Sequence, residues 1–419
     1  MPAPASRPVG YLELLRVNRR FRLLWSGEVV SLLGDWFATI ASAILVADLT
    51  GSGLAVGGLF VARMLPPFLV SPVAGVAADR FDRRRLLIVC DLARMVTVLG
   101  FLLVREPSQV WLLYALTAIQ LGFTGFFFPA RNAILPSLVG VRELGTANAL
   151  AATTWSVMLA LGAALGGLVA GRFGVDAAFV VDAATYLVSA LLLGAIPGDY
   201  QPPGEPDRTV RAAVRQYLAG LRYLGRHREV LFTASHKALF GFCMGGAMQV
   251  VQVVLAQQVF VIGAAGSSTL GLMYAVAGAG TGVGPILVRR FTGDDRGRMR
   301  RAIVGAYAVT AVGLAVIAPL TSLPLVLVGM FLRGFGGGVN WVMSTQLLMM
   351  VLPDEVRGRV FASEFAAFTL AVAASTSLGG WAVDAGIGLG VVVWTLSGLI
   401  LLPGAAWAWW LRRLEARER

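Results

Sequence analysis

The chain has 419 residues, 57% of them hydrophobic and 14% charged, with a mean hydropathy of +0.75. A soluble domain carries about 25% charged residues, so a water-soluble globule is excluded. The net charge of +12 would suit a nucleic-acid binder, but the arginines are scattered over short gaps between apolar runs. No zinc-finger spacing or aromatic–basic groove accompanies them, and no nucleic-acid partner is expected.

Apolar runs long enough to cross a bilayer core, about 20 residues, recur along the whole chain. They predict helices at 22–49, 54–78, 86–104, 110–128, 146–171, 176–196, 230–259, 268–288, 302–320, 323–351, 360–384 and 388–411. Helices satisfy their own backbone in hydrocarbon, and barrel-like alternation is absent. The fold class is an all-α membrane protein, twelve transmembrane helices in two six-helix pseudo-repeat bundles. The N-terminal tail is basic, and no cleavage site follows the first apolar run, which predicts an uncleaved chain. Basic residues crowd into both tails and the alternate gaps 79–85, 129–145, 197–229, 289–301 and 352–359. Only Arg105 and Arg172 fall in the other gaps. By the positive-inside rule, the basic gaps and both termini face the cytoplasm. Lys237 is the single lysine among the 35 basic residues, beside abundant Ala and Gly, which suggests a GC-rich bacterial genome and hence a multi-pass protein of the bacterial inner membrane.

Charges inside the runs carry the functional signal, because each costs a few kcal/mol or more near the bilayer centre unless it faces protein or water. Span 1 holds Glu28 and Asp35, seven apart and therefore on one helix face. Asp35 lies roughly 20 Å from the start of its span, and Arg63 on span 2 roughly 24 Å from the basic end of its own. The matching depths predict an Asp35–Arg63 ion pair. Either it is a static lock between two helices, or Asp35 exchanges a proton as it gains and loses Arg63. Glu28, nearer the basic side, is a candidate for binding a cationic substrate or relaying the proton. On span 3, Asp91 and Arg94 are three apart and can pair with each other. The aromatics at 126–128, Trp36, Phe37 and Trp341 either clasp a ligand or simply pack.

Span 5 carries Gly162, Gly166 and Gly167, which suit close helix packing and gating. Span 8 offers Gly278, Gly280, Gly282 and Gly284 as a partner surface. Asp182 stands in the outer part of span 6. The segment 197–229 opens with Pro197, Pro202, Pro203 and Pro206, then places Val210, Val214, Tyr217, Leu218, Leu221 and Leu224 at helical spacing. It reads as a basic amphipathic helix on the inner membrane surface. It divides the chain into an N-terminal bundle, 1–196, a linker, 197–229, and a C-terminal bundle, 230–419. His236 and Lys237 lie in the inner third of span 7, as a titrating or lining histidine and a lining or snorkelling lysine. Arg333, deep in span 10, meets an acid of the other bundle, an anionic substrate or a structural partner. Glu364 stands near the inner start of span 11. Trp407, Trp409 and Trp410 read as an interfacial belt. Cys90 and Cys243 read as small core residues.

The two halves echo each other: Leu135-Pro136 with Leu352-Pro353, and Leu165-Gly166-Gly167 with Leu378-Gly379-Gly380. Parallel six-span repeats with a site at their interface are a transporter architecture. The gap after span 2 reads Gly75-Val76-Ala77-Ala78-Asp79-Arg80-Phe81-Asp82-Arg83-Arg84-Arg85 and resembles the major facilitator signature G-x-x-x-D-R-x-G-R-[KR]. The resemblance implies that Gly75, Asp79, Arg80, Arg83 and Arg84 form a conformational motif, with Asp79 stabilising one access state. The family's second glycine is Asp82 here, so the turn must be made differently. Asn18-Arg19-Arg20-Phe21-Arg22-Leu23-Leu24-Trp25, Gly34-Asp35-Trp36, Pro129-Ala130-Arg131-Asn132-Ala133, Glu143-Leu144, Ala147-Asn148-Ala149-Leu150 and Arg357-Gly358-Arg359-Val360 look like the macrolide-efflux and enterobactin-exporter branch of drug:proton antiporters. Two departures stand out. Ala163 replaces the proline of the family's G-P-x-x-G-G, and span 4 reads Ala118-Ile119-Gln120-Leu121-Gly122, without the arginine that many proton-coupled relatives carry there.

The chain lacks a phosphate-binding G-x-x-x-x-G-K-[ST] loop, a nucleophile elbow and metal-ligand spacing, so neither ATP-driven pumping nor catalysis is expected. No cofactor or metal is expected. The resemblance implies a monomeric secondary transporter that exchanges protons for amphipathic small molecules amid membrane lipid. The alternative is an exporter or flippase for a specific endogenous lipid, siderophore or metabolite.

Overall fold

The computed structural model describes residues 10–140, 142–201 and 222–418. Among these, twelve helices are long and apolar enough to cross a bilayer. In chain order, spans 1 to 6 are Arg19–Thr50, Gly53–Arg80, Arg83–Leu103, Pro107–Leu138, Leu144–Phe173 and Val175–Gly194. Spans 7 to 12 are Glu229–Val259, Ala264–Thr292, Arg296–Ile317, Leu323–Val351, Val356–Asp384 and Leu389–Ala416. The largest departure from expectation is span 4, which ends at Leu138 instead of near residue 128. Pro129 and Pro136 sit inside the helix. A proline removes only one backbone donor there, and neighbouring helices can satisfy the freed carbonyl. Arg131 is therefore buried within a helix, not in a basic loop.

Side chains set several helix starts. Asn18 accepts a hydrogen bond from the Phe21 N–H at 3.0 Å, capping span 1. Its amide also donates to the Leu138 carbonyl at 2.8 Å, tying that start to the end of span 4. Asp295 caps span 9 through the Arg298 N–H at 2.6 Å.

Asp82 answers the missing glycine. Its backbone has φ −55° and ψ 119°, so no left-handed residue is required. The carboxylate accepts from the N–H of Arg85 and of Tyr200, each at 2.7 Å, capping span 3 and holding the chain beyond span 6. Burial alone would raise this carboxyl, but those backbone donors outweigh it and hold Asp82 below the usual carboxylate range. Asp82→Ala is expected to lower stability by about 1–2 kcal/mol in denaturant or thermal unfolding. Because the folded value is depressed, this contribution is present above about pH 4, the unfolded carboxylate value. It is lost as pH falls through the lower folded value.

Spans 1–6 and spans 7–12 form two bundles with matching internal packing: span 1 on span 5, span 2 on span 4 and span 3 on span 6 correspond to 7 on 11, 8 on 10 and 9 on 12. Between bundles, span 5 packs on span 8 and span 2 on span 11. The repeated Leu-Gly-Gly serves both seams alike. A carbon added to Gly166 would lie 3.0 Å from the Phe37 Cα of span 1, and one on Gly379 2.5 Å from the Ala247 Cα of span 7. The next glycine faces across the seam: Gly167 would meet the Gly271 Cα at 2.7 Å, and Gly380 the Leu54 Cα at 2.8 Å. Side chains are excluded at these four points so that backbones can touch.

The seams close at the face opposite the basic loops. There Asp384 of span 11 caps span 2, accepting from the Gly53 N–H at 2.6 Å, the Ser52 hydroxyl at 2.6 Å and the Leu54 N–H at 3.1 Å. Gln257 donates to the Ile44 carbonyl at 3.2 Å across the bundles. Further toward the basic face the seam loosens: Gly278 would still lie 2.8 Å from Leu159 Cγ and 3.0 Å from Ala160 N, but Gly282 meets only Ser156 at 3.8 Å. A cleft between the bundles thus opens toward the basic loops.

Span 8 presents two faces. Gly278 and Gly282 point to span 5, as expected, whereas Gly280 and Gly284 abut Phe331 and Phe335 of span 10. The amphipathic linker lies largely outside the described residues. Its described end is helical at 222–226, and Leu224 buries against Val230, Leu348, Leu352 and Val360, not against the membrane. The tryptophan belt is corrected at Trp407 alone. Trp407 is fully buried, stacks on Phe232 and donates to the Arg300 carbonyl at 3.0 Å, whereas Trp409 is exposed.

Candidate functional site

The N-terminal bundle concentrates charge around Asp35. Asp35 and Arg63 are half-buried, whereas Asp91, Arg94 and Asp182 lie fully inside the bundle. Asp35 accepts a hydrogen bond from the Tyr186 hydroxyl of span 6. That hydroxyl accepts in turn from the Gln120 amide of span 4 at 3.0 Å. Arg63 does not pair with Asp35 directly. Its guanidinium donates to the Thr39 hydroxyl at 2.6 Å, and that hydroxyl donates to the Asp35 carbonyl at 2.5 Å. Thr39 sits one turn above Asp35 on the same helix and intercepts the arginine. The expected ion pair is therefore not formed: through Thr39 the arginine is tied to the main chain of Asp35 and not to its carboxylate, although Arg63 remains within electrostatic reach of Asp35 and Asp182.

Asp91 and Arg94 do pair, as their spacing implies. The Arg94 guanidinium is sandwiched between the Phe127 and Tyr186 rings, 4.5 Å from each centroid, and is thereby held beneath the tyrosine that contacts Asp35. Asp182 has the weakest support. One carboxylate oxygen accepts from Thr185 at 3.4 Å and the other has no hydrogen-bond partner among the described residues. Asp182 interacts electrostatically with Asp35, Arg94 and Arg63. Among the described residues, the network thus holds three carboxylates against two guanidiniums. A low-dielectric interior disfavours that unbalanced charge, and one proton on an acid neutralises it.

Glu28 is not free to meet a substrate. Arg131 donates to it through Nε at 3.1 Å and Nη2 at 3.0 Å, and both side chains are buried. Removing one partner of a buried pair strands the other charge, so Glu28→Ala is expected to cost about 3–5 kcal/mol. The double substitution Glu28→Ala/Arg131→Met should recover much of that loss in thermal unfolding.

In the signature loop, Arg83 donates to the Ala133 carbonyl at 3.0 Å and Arg84 to the Ile196 carbonyl, so both bind the ends of spans 4 and 6 in their own bundle. Asp79 and Arg80 lie in the last turn of span 2, and Gly75 faces open space. Gly162 and Gly166 pack on Trp36 and Phe37, and only Gly167 reaches span 8.

In the C-terminal bundle, Arg333 meets no acid among the described residues. It donates to the Met244 carbonyl at 3.2 Å, inside a π-helical stretch at Phe242–Gly246. Such a stretch leaves backbone carbonyls without their usual partners, and the guanidinium serves one of them. His236 contacts the Tyr307 hydroxyl at 3.2 Å and lies against Trp407, a packed position. Lys237 does not snorkel: it pairs with Glu364 at 3.0 Å, both side chains 4% exposed. Thr39 and Tyr186 are not visible as site residues in the sequence because neutral hydroxyls carry no charge signal, and Arg131 reads there as part of a basic loop. The i+4 spacing of Thr39 from Asp35 was the available clue.

The profile of the family described as Major Facilitator Superfamily matches residues 24–363 and 264–419. The chain is 28% identical over 376 residues to YfiS of Bacillus subtilis, an uncharacterized MFS-type transporter, covering 85% of each chain. It is 25% identical over 396 residues to BacE of Bacillus amyloliquefaciens, provisionally named a bacilysin exporter, covering 93% of this chain and 95% of that one. Among solved structures, a point mutant of the nucleoside transporter NupG superposes with a TM-score of 0.74 at 12% identity, covering 92% of this chain and 99% of that one. A bacterial homologue of the iron transporter ferroportin in an inward-facing state superposes at 0.71 and 14% identity, covering 94% and 99%.

Proposed function

The chain belongs to the major facilitator superfamily, and from that premise we propose that it is a proton-coupled exporter of amphipathic small molecules across the bacterial inner membrane. Both termini and the basic loops face the cytoplasm in this reading, so the cleft is open to the cytoplasm and sealed outside. The observation that carries proton coupling is the charge imbalance around Asp35. Of the three acids in that network, Asp35 is the one that is not fully buried, so it is where the balancing proton enters and leaves. When the bundles rock, the water and the C-terminal-bundle surface that face Asp35 change while its neighbours Arg63 and Tyr186 stay in place, and the balancing proton is taken up or released with that change. Asp91 and Arg94 hold Tyr186 in place and do not move charge.

Export is the direction that the similarity to BacE supports. That similarity also favours a second reading, export of one specific metabolite, siderophore or lipid, because BacE is named for a single compound. Substrate flux in proteoliposomes under an imposed pH gradient tests the coupling; flux indifferent to collapse of the gradient would sink it. A thermal-shift panel separates the two readings. Many weak apolar ligands indicate broad efflux, and one strong ligand indicates a dedicated exporter.

A further inference from the structure

The Lys237–Glu364 pair forms one wall of a cavity of about 220 Å³ between spans 7, 10 and 11. The Lys237 ammonium also donates to Thr345 at 2.7 Å and lies 4.6 Å from the centre of the Trp341 ring. The remaining wall is aromatic: Trp341 meets Phe368 edge-on at 5.3 Å, and Phe365 stacks on Phe368 at 6.4 Å. Trp341 and Phe365 are 43% and 49% exposed, so their faces are available. Lys237 and Glu364 each lie eight residues into their spans, about 12 Å from the basic face at 1.5 Å per residue. They are on the side where the cleft is open.

An ion pair this deep is a poor structural choice, since apolar residues of similar volume pack as well without desolvating two charges. Its chemistry instead selects a ligand. The pair is net neutral, so a ligand with net charge would enter without a counter-charge, and intramembrane charge is disfavoured. A zwitterion avoids this: its carboxylate meets Lys237, its ammonium meets Glu364, and all four charges stay paired. The rings take an aromatic or aliphatic substituent. The volume is below the roughly 300–1,000 Å³ of drug-sized pockets, which limits the occupant to a small molecule or one end of a larger one. We propose that this cavity binds zwitterions of amino-acid or dipeptide size bearing an apolar side chain. The inference rests on the export reading only for its role as a substrate site; binding stands by itself.

The test uses the purified full chain without any gradient, with L-phenylalanyl-L-alanine as probe, followed by tryptophan fluorescence and calorimetry. Its N-acetyl derivative lacks the ammonium, and its amide lacks the carboxylate. Each is expected to bind at least tenfold more weakly than the zwitterion. Lys237→Met/Glu364→Met, which removes both charges together, should retain its melting temperature and lose zwitterion binding at least tenfold. Lys237→Glu/Glu364→Lys should keep it within a few-fold. The proposal is overturned if the amide or the acetylated peptide binds as well as the zwitterion, or if the double methionine variant binds normally. Zwitterion binding without gradient-driven flux would remove the export reading and leave the site. Gradient-driven flux of other compounds with no zwitterion binding would do the reverse.

Discussion

Asp35→Asn is expected to abolish proton-driven transport while leaving a folded protein that still exchanges substrate. The substitution keeps the acceptor for the Tyr186 hydroxyl and the shape of the side chain. It removes one carboxylate from a set in which Asp35, Asp91 and Asp182 face Arg63 and Arg94. Two acids then balance two guanidiniums, and no proton is needed for neutrality. Gradient-driven accumulation in proteoliposomes should fall at least tenfold, to the level seen with the gradient collapsed, whereas counterflow exchange should persist. Full pH-driven accumulation by the variant would rule out the role. Asp182→Asn is the informative comparison, because it removes the same charge from a fully buried position. If coupling fails there and survives in Asp35→Asn, the proton resides on span 6 instead.

The spans were legible in the sequence because hydrocarbon imposes a length and an apolar composition on any helix that crosses it. The two-bundle arrangement was legible through the repeated Leu-Gly-Gly, and both copies are used in the same way. The depth of Asp35 and Arg63 was also readable from residue counts, since rise per residue is fixed. Which way each side chain points was not, because depth leaves rotation about the helix axis and side-chain rotamers open. That is how Arg63 comes to bond the Thr39 hydroxyl, one turn from Asp35, and not the carboxylate. Arg131 was lost for another reason. Pro129, Arg131 and Asn132 together look like a loop, and only the packing of span 4 against its neighbours shows the helix continuing to Leu138. Glu28 therefore reads in the sequence as a residue for substrate binding or proton relay, when its partner is Arg131 on span 4. Trp407 was misplaced because an indole near a helix end suits an interface or a core equally well, and the Arg300 carbonyl that receives its N–H lies more than a hundred residues away. Asp91 and Arg94 were predicted correctly because i,i+3 geometry is local and needs no tertiary information.

Gly271→Leu is expected to prevent the bundles from sealing at the face opposite the basic loops. A single carbon there would already lie 2.5 Å from the Ala163 carbonyl oxygen and 2.7 Å from the Gly167 Cα, both backbone atoms of span 5. Backbone cannot move aside as a side-chain tip can, so the clash is relieved only by separating the two helices. Overpacking of this kind costs about 1–3 kcal/mol, which shifts a two-state equilibrium roughly 5- to 150-fold toward the conformation in which the seam is open. In the alternating-access reading the bundles move as bodies, so the other seam should report the change. Thr376 is fully buried against Gly57, so Thr376→Cys should react slowly with a maleimide in the parent and at least tenfold faster when Gly271→Leu is added. Gly282→Ala supplies the control. Its added carbon would meet only Ser156 at 3.8 Å, ordinary contact, and labelling should stay near the parent rate. Unchanged labelling in Gly271→Leu, with transport intact, would mean that the glycine seam does not limit closure. The hydrogen bonds across the bundles, chiefly the Asp384 cap on span 2 with Gln257 to Ile44, would then have to hold the seal. Three hydrogen bonds at an exposed helix start are a weak latch for two bundles, since a typical hydrogen bond contributes only about 1 kcal/mol net. Close backbone packing over two symmetric seams is therefore the element expected to set the access equilibrium, with glycine as the residue type that makes it possible.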